Sequence, residues 1–346
     1  MGTVVAKVGR DVYRVCMRCE AAARRAQRRP EATAMGSRQH AGRGALSLRP
    51  VPPSLRSGQR TVSGKALLAV RSTFMRIVIS ALHFPWDDMV SCFDRAGREF
   101  GLDGVELSWH PALARPHCTA ADMTWLRNAR GQHGLNLSAH IWEDLPTLSL
   151  TSARDALLRW LERCQETGVT HVVLHGGTCV DRDEGIDRVG AVLHAVAPDC
   201  QAAGVTLCLE NHYAFDYRDG HELFSEAWEF KRVLNPAIPE LAFCFDTGHG
   251  HMTRTWEDLL RSLAPWLHYI HLADNHGEHD DHCAYGEGTV PWQAMFDLLA
   301  DLGFDGTFCV EFPVRDDLKP FRRCLADLRR QFPGTSTMDI GKDVGP

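Results

Sequence analysis

The amino-acid sequence predicts an α/β fold, a (β/α)8 TIM barrel over residues 75–332. Short β-rich runs alternate with longer amphipathic stretches, and the strand-like runs are almost continuously apolar. Eight such units in about 260 residues give the rhythm and the length of a (β/α)8 barrel. Continuous apolar runs are typical of parallel strands whose two faces are both buried. A doubly wound open sheet is the main alternative, but it offers no reason to stop at eight units.

The predicted strands and helices follow one another in a regular order. The strands lie near residues 76–82, 104–109, 135–141, 171–177, 205–211, 241–249, 267–274 and 307–312. Helical periodicity is clear between them, for example over residues 88–100, 152–168, 190–204 and 290–303. Several helices should end at a glycine in the left-handed conformation, namely Gly134, Gly168, Gly204 and Gly303. No glycine-rich phosphate motif follows the first strand, so no nucleotide cofactor is predicted.

Charge divides the chain into two parts. Residues 1–74 contain 15 Lys and Arg against 3 acidic residues, whereas the remainder contains 23 against 41. The basic part has no sustained apolar period, which predicts a disordered extension. Three interpretations of it are open: an upstream region wrongly joined to a start at Met75, an organelle-targeting segment, and a nucleic-acid-binding arm. Residues 333–346 are predicted to form a disordered tail.

Composition also bears on the location of the protein. The sequence has no run of about 18 apolar residues, so no membrane-spanning helix is predicted. Its 12 cysteines are scattered singly and lack the spacing of a small disulfide scaffold. We therefore predict a reduced, cytoplasmic protein with no membrane partner, and the sequence leaves a homo-oligomer open.

Polar residues recur at the carboxyl-terminal ends of the predicted strands, the face on which barrel enzymes build their sites. In chain order they are His140, His175, Glu210, Asp246, His249, His271, Asp274 and Glu311. Each has an ordinary structural explanation, such as a hydrogen-bonded core histidine or an Asp246 that caps a helix. Their recurrence on consecutive strands favours a shared role. Carboxylate oxygen and imidazole nitrogen together suit Mn²⁺, Mg²⁺, Co²⁺ or Zn²⁺, so we predict a divalent-metal site.

Further candidates lie near the same face. Asp280 and His282 follow the seventh strand, although a polar loop with incidental charges would look the same. The candidates for substrate contact are Glu106, Trp142, His212 and Tyr285. An indole such as that of Trp142 can stack on a sugar or simply pack in the core. Glu106 can bond a substrate hydroxyl or orient a ligand histidine.

These residues lie in motifs that resemble one barrel superfamily. The stretches are "CLEN", "FDTGH", "HLADN", a D-x-H followed by G-E-G, and "VEF". In this order they resemble the xylose-isomerase-like TIM barrels, which group sugar phosphate isomerases and epimerases with endonuclease IV. The resemblance spans residues 75 to about 332. It implies one divalent metal held by Glu210, Asp246, His271 and Glu311, with Glu210 and Glu311 exchanging a proton on opposite faces of a keto-sugar.

The resemblance leaves other activities open. Endonuclease IV implies a larger zinc set, matched here by His140, His175, Glu210, Asp246, His249, His271, Asp280, His282 and Glu311. Contact with DNA requires Lys and Arg, and the acidic barrel disfavours nucleic acid as a partner. We therefore expect a metal-dependent isomerase or epimerase acting on a small neutral keto-sugar or polyol-derived substrate. An inosose dehydratase-like lyase and a barrel retained only as a binding module are further alternatives.

Overall fold

The described residues form a closed barrel of eight parallel strands. The computed structural model describes residues 75–83, 89–109, 120–217 and 220–333. The described residues contain eleven strands, namely β1 Arg76–Ser80, β2 Gly104–Trp109, β3 Asn136–Ile141, β4 Val169–Leu174, β5 Thr178–Cys179, β6 Thr206–Glu210, β7 Asp216–Tyr217, β8 Gly220–Glu222, β9 Leu241–Asp246, β10 Leu267–Leu272 and β11 Thr307–Val310. Around the barrel the strand order is β1-β11-β10-β9-β6-β4-β3-β2. The predicted barrel fold is confirmed.

The barrel closes between its first and last strands. Arg76 pairs with Thr307, and the parallel register continues to Ile79 and Val310. A second, three-stranded antiparallel sheet joins β5, β8 and β7. The sequence did not predict this small sheet, because strands of two or three residues are too short to show a hydrophobic period.

Helices connect the strands on the outside of the barrel. They are α1 Met89–Asp94, α2 Ala120–His133, α3 Leu150–Thr167, α4 Arg182–Ala203, α5 Ala227–Val233, α6 Thr247–Thr253, α7 Trp256–Leu263, α8 Trp292–Asp301 and α9 Lys319–Gln331. The start of α3 follows local chemistry, since the Ser149 side chain accepts a hydrogen bond from the backbone N–H of Ser152. Its end follows the predicted rule, because Gly168 adopts a φ of 79°. Gly134, Gly204 and Gly303 also have positive φ angles, as predicted.

The core has two parts. One lies between the strands and the helices and contains most of the Leu, Ile, Val and Phe side chains. The other, which we call the interior layer, consists of Val78, Val173, Cys208, Ala242, Cys244, Tyr269 and Cys309. It contains no carboxylate, ammonium, guanidinium or imidazole group, and it shares strands β6, β9 and β10 with the polar residues described below.

Several predicted boundaries differ from the observed ones. The fourth strand ends at Leu174, so His175 follows it. The sixth strand was predicted to reach His249 but ends at Asp246, because Asp246 caps α6 and the chain turns into that helix. The predictions of disorder for residues 1–74 and 333–346 lie outside the described residues, apart from residue 333 itself. Within the described part of the chain, none of the helices combines the length and apolar character needed to cross a bilayer.

Candidate metal centre

Four acidic and imidazole side chains meet at the carboxyl-terminal end of the barrel. Glu210 ends β6, Asp246 ends β9, His271 lies near the end of β10, and Glu311 follows β11. One potential ligand atom from each side chain lies within 4.8 Å of the other three. All four residues are buried, and the most exposed, Glu311, has only 5% of its surface accessible. We call these four residues the donor cluster.

His271 lies at the centre of the donor cluster. Its Nδ1 atom is 3.1 Å from Oε1 of Glu210 and 2.9 Å from Oε2 of Glu311. Its other ring nitrogen, Nε2, is 3.0 Å from Oε2 of Glu106. One nitrogen of the ring therefore faces the donor cluster, while the other is held by a carboxylate outside it.

Asn211 fixes the position of Asp246. The Asn211 Oδ1 atom accepts a hydrogen bond from the Asp246 backbone N–H at 2.8 Å, and its Nδ2 donates to the Asp246 carbonyl at 3.1 Å. Asp246 in turn caps α6, because its Oδ1 accepts from the backbone N–H of His249 at 2.6 Å. Capping uses only this oxygen. The other, Oδ2, is buried and has no hydrogen-bond partner among the described residues.

The donor cluster fits a divalent cation. A buried carboxylate oxygen without a partner is unfavourable in a folded protein, and a cation would satisfy it. Burial, together with the neighbouring Glu210 and Glu311 carboxylates, raises the pKa of Asp246 to about 7 despite the nearby His249. A positive ion would remove this penalty. Three carboxylates and one imidazole are also donors that Mn²⁺, Mg²⁺, Co²⁺ and Zn²⁺ accept.

The two glutamates of the donor cluster are held in their ionised form. Burial acts to raise the pKa of Glu311, but the facing His271 outweighs it and lowers this pKa to about 2. The pKa of Glu210 is also below its ordinary value, because His271 and His175 outweigh the effect of burial. Both carboxylates are therefore able to bind a cation or to accept a proton.

Two further histidines surround Glu210. The Nε2 atoms of His140 and His175 are 2.9 and 3.2 Å from the same oxygen of Glu210, Oε2. The Nδ1 atom of His140 is buried and lacks a hydrogen-bond partner among the described residues. The structure therefore brings both predicted histidines into direct contact with the donor cluster.

A second group of polar residues lies beside the donor cluster. Oδ2 of Asp280 is 3.5 Å from Nε2 of His249 and 3.3 Å from Nε2 of His282. The Nδ1 atom of His282 donates to the backbone carbonyl of Glu311 at 2.7 Å, which joins the two groups. Oδ1 of Asp280 is buried and has no hydrogen-bond partner within the described part of the chain. We call His249, Asp280 and His282 the Asp280 group.

Asp274 organises the loop between β10 and α8, which carries Asp280 and His282. Its carboxylate accepts four hydrogen bonds, from the backbone N–H groups of Gly286, Gly288 and Val290 and from the indole N–H of Trp292. A Cβ atom at Gly288 would lie only 2.3 Å from Oδ1 of Asp274, so the loop requires glycine there. The G-E-G sequence is therefore explained by the path of the loop around this carboxylate.

Trp142 packs against the histidines that contact Glu210. Its ring centroid is 4.9 Å from that of His140 and 5.2 Å from that of His175. The strand β3 ends at Ile141, so Trp142 reaches this position from the loop after the strand. The structure thus places this predicted substrate-contact residue next to the donor cluster.

His212 belongs to a group of aromatic rings after β6. It stacks on His249, with ring centroids 4.6 Å apart. Tyr213 also lies close to His249, at 5.3 Å, and Phe215 stacks on Tyr213 at 5.0 Å. Phe215 was not predicted as part of the site, because its position in an irregular segment gives no periodic signal.

Two of the predicted substrate-contact residues, Tyr285 and Glu106, contact other protein groups in the structure. Tyr285 does not join the donor cluster: its hydroxyl donates to Asp327 at 3.0 Å, and its ring packs 4.7 Å from that of Trp292. Glu106 is completely buried and contacts His271. Of the two roles considered for Glu106, its position favours the orientation of a histidine.

His83 is a site residue that the sequence did not single out. Its Nε2 donates to the backbone carbonyl of Glu311 at 3.3 Å, and its ring lies 5.3 Å from that of His282. Burial lowers the pKa of His83 to about 4, so the ring is neutral. The rule that polar residues at strand ends build the site could have identified His83, which follows β1 closely. The residue was missed because the apolar run of the first strand continues to residue 82, whereas β1 itself ends at Ser80.

Comparison with known proteins adds a family and several relatives. The family model for xylose isomerase-like TIM barrels matches residues 95–330. A probable endonuclease 4 of Nitratidesulfovibrio vulgaris is 29% identical over 199 residues, which are 51% of this chain and 69% of that protein. An uncharacterized protein of Methanocaldococcus jannaschii is 27% identical over 159 residues, which are 45% of this chain. The match spans only 58% of that relative's own length. The solved structure of a D-tagatose 3-epimerase-like protein has the same fold, with a TM-score of 0.63 and 20% identity over 74% of this chain and 98% of its own.

Proposed function

The chain belongs to the xylose isomerase-like TIM barrel family, and from this premise we propose that it is a divalent-metal-dependent sugar isomerase or epimerase. Glu210, Asp246, His271 and Glu311 hold the cation in this proposal. One observation carries it: four buried ligand atoms lie within 4.8 Å of one another. The unpartnered Oδ2 of Asp246 supports the same assignment.

Glu210 and Glu311 are the proposed proton carriers. Both are held ionised, and both approach the same nitrogen of His271, so each is able to take a proton from a substrate bound at the donor cluster. One removes the proton from the carbon beside the substrate carbonyl, and the other returns it from the opposite face. The bound cation supplies Lewis acidity, which stabilises negative charge on the substrate oxygens.

The proposed substrate is a small, unphosphorylated keto-sugar or polyol derivative. Trp142 and Tyr213 offer ring faces on which the C–H groups of a sugar can pack. Arg315, which follows β11, is paired with Glu287 at 3.0 Å, so its charge is already engaged. The likeness in fold to a D-tagatose 3-epimerase-like protein agrees with this substrate class. We also propose a reducing, cytoplasmic location, which is supported by nine free cysteines among the described residues.

Metal content is the first test of this proposal. The protein is purified without added metal and after exchange into Mn²⁺, and its metals are measured by inductively coupled plasma mass spectrometry. We expect one exchangeable divalent ion per chain. The loaded protein is then incubated with ketoses and inososes in deuterated water, and we expect deuterium at the carbon beside the carbonyl. A protein that binds no divalent ion under either condition would contradict the proposal.

A second candidate function is an endonuclease IV-like phosphodiesterase that acts on abasic DNA. The Asp280 group favours it, because two imidazoles approach one buried carboxylate that retains a free oxygen. The relative described as a probable endonuclease 4 points the same way. The excess of acidic residues after residue 74 opposes contact with DNA. Two or three tightly held zinc ions and cleavage of an abasic duplex would establish this function.

A lyase reaction is a further alternative at the donor cluster. Dehydration of an inosose begins with the same removal of a proton beside a carbonyl and differs in the loss of water that follows. Mass spectrometry of the products distinguishes the two reactions, since isomerisation and epimerisation conserve mass and dehydration does not.

A further inference from the structure

Glu106 is a buried carboxylate that the proposed reaction does not use. It lies on β2, and its side chain is completely inaccessible to solvent. Oε2 of Glu106 is 3.0 Å from Nε2 of His271, and its Oε1 accepts a hydrogen bond from the Cys309 thiol at 3.5 Å. Both oxygens of Glu106 therefore contact groups at or beside the donor cluster.

The contact with Glu106 selects one form of the His271 ring. A neutral imidazole carries a proton on one nitrogen and a lone pair on the other. A carboxylate oxygen accepts hydrogen bonds, so the nitrogen that faces Glu106, Nε2, donates to it. Before a cation binds, Nδ1 faces the carboxylate oxygens of Glu210 and Glu311 and carries a proton as well. A cation that binds Nδ1 replaces that proton, and the proton on Nε2 then remains on the side of Glu106. The geometry thus directs the metal-binding nitrogen of His271 into the donor cluster.

We propose that Glu106 is a positioning residue, which holds His271 in the tautomer protonated on Nε2 and presents Nδ1 to the cation. This inference rests on the proposed function, since it requires that the donor cluster binds a metal. Carboxylates that hold ligand histidines in this way commonly affect metal affinity about 10- to 100-fold. The role differs from substrate contact, because both oxygens of Glu106 are already engaged, one by His271 and the other by the Cys309 thiol.

The chain contains a matched control for this role. Glu229 on α5 is also completely buried, and it too is a carboxylate with several hydrogen-bond partners. Its partners are the backbone N–H groups of Phe224, Ser225 and Glu226 and the guanidinium of Arg182. None of these residues belongs to the donor cluster. Replacing Glu229 therefore tests the loss of a buried carboxylate without touching His271.

The experiment compares Glu106→Gln and Glu229→Gln with the unmodified full chain. Binding of Mn²⁺ and Co²⁺ is measured by isothermal titration calorimetry, and melting temperature is measured without metal. Glutamine at position 106 can donate to Nε2 and so permits the wrong tautomer. We expect Glu106→Gln to bind the cation about 10- to 100-fold more weakly and to alter the visible spectrum of bound Co²⁺. Glu229→Gln should bind normally but melt at a lower temperature.

The outcomes separate this inference from the proposed function. If the unmodified protein binds no cation, the proposed function fails, and the role of Glu106 fails with it. If it binds but Glu106→Gln binds equally well with an unchanged Co²⁺ spectrum, only the inference is overturned. If Glu106→Gln does not fold, the test uses the unmodified protein loaded with Zn²⁺. Its ¹H–¹⁵N spectra show which ring nitrogen of His271 carries the proton, and the His271 signals are assigned by comparison with His271→Gln. Zinc on Nδ1 with a proton on Nε2 supports the inference, and the reverse overturns it.

Discussion

Two regions of the molecule contain buried carboxylates, and the two regions differ in how fully the carboxylate oxygens are hydrogen-bonded. Glu229, on α5, accepts three backbone hydrogen bonds and forms an ion pair with Arg182 at 2.8 Å. In the donor cluster, three carboxylates crowd one imidazole, and Oδ2 of Asp246 has no hydrogen-bond partner among the described residues. Burial of a carboxylate therefore does not mark a functional site. A functional site is indicated instead by a buried carboxylate that has an oxygen without a hydrogen-bond partner.

The difference has an energetic meaning. Each buried polar group without a partner costs about 1–3 kcal/mol of folding free energy. The Glu229 region avoids this cost because its carboxylate is fully hydrogen-bonded. In the donor cluster, the unpartnered Oδ2 of Asp246 carries the cost unless a cation is bound. Substitutions should therefore have opposite effects at Glu229 and at Asp246: loss of stability at Glu229, and loss of metal binding without loss of stability at Asp246.

The largest expected effect is on turnover. Glu210→Gln and Glu311→Gln each remove a proposed proton carrier, and we expect each to lower kcat by about 100- to 10,000-fold. Their melting temperatures without metal should fall, because the lowered pKa of each glutamate shows that its ionised form is stabilised in the folded protein by the facing His271. Activity is measured by deuterium exchange into the substrate. Near-normal activity in both variants would refute the two-carboxylate mechanism.

The next prediction contrasts the two regions directly. Asp246→Asn keeps the cap of α6, since asparagine is also a good N-cap residue, but it loses the charge that we propose binds the cation. We expect metal affinity to fall at least about 10-fold with no loss of stability in the metal-free protein. Glu229→Gln should instead be less stable by about 1–3 kcal/mol. Calorimetric titration and chemical denaturation give the two values. A destabilised Asp246→Asn would break the contrast.

A smaller effect is expected at the loop around Asp274. Asp274→Asn replaces one acceptor oxygen with an amide donor that faces backbone N–H groups. We expect a loss of about 1–3 kcal/mol in the free energy of unfolding and faster hydrogen exchange over residues 284–290. Asp301→Asn, at the exposed end of α8, is the control and should leave both quantities unchanged. Unaltered exchange in the loop of Asp274→Asn would show that Asp274 does not organise it.

The smallest effect is expected at Tyr285. Tyr285→Phe removes the hydrogen bond to Asp327 and retains the ring that packs on Trp292. The variant should lose about 1 kcal/mol of stability and keep the kcat and KM of the unmodified protein. A raised KM in this variant would indicate that Tyr285 contacts the substrate. That result would contradict the role inferred from its position beside α8 and α9.

The fold was predictable because a parallel barrel imposes a simple pattern on its sequence. Both faces of each strand are buried, so the strands appear as apolar runs, and Gly168 and Gly204 end helices where a left-handed residue is needed. Strand ends were less predictable. The predicted sixth strand was extended to His249, although the chain has already turned into α6 at that point. This turn depends on the hydrogen bond from the His249 backbone N–H to Asp246.

The candidate site was predictable as far as it lies on strand ends. Parallel strands of a barrel bring their carboxyl-terminal ends together, so the sequence alone was enough to group Glu210, Asp246 and His271. Residues in loops could not be placed in this way. The loop after β10 folds around Asp274, which turns Tyr285 towards the helices. Spacing along the sequence carries no information about that direction.

The closure of the barrel also constrains when the site can exist during protein synthesis. β1 pairs with β11, and Glu311 follows β11 directly. On the ribosome, the amino-terminal strand emerges long before the strand that closes the barrel beside it. The donor cluster therefore remains incomplete until the eighth barrel strand has been made. A nascent chain or a proteolytic fragment that lacks this strand would lose the closed sheet and Glu311 together, so folding and metal capture should be completed in the same late step.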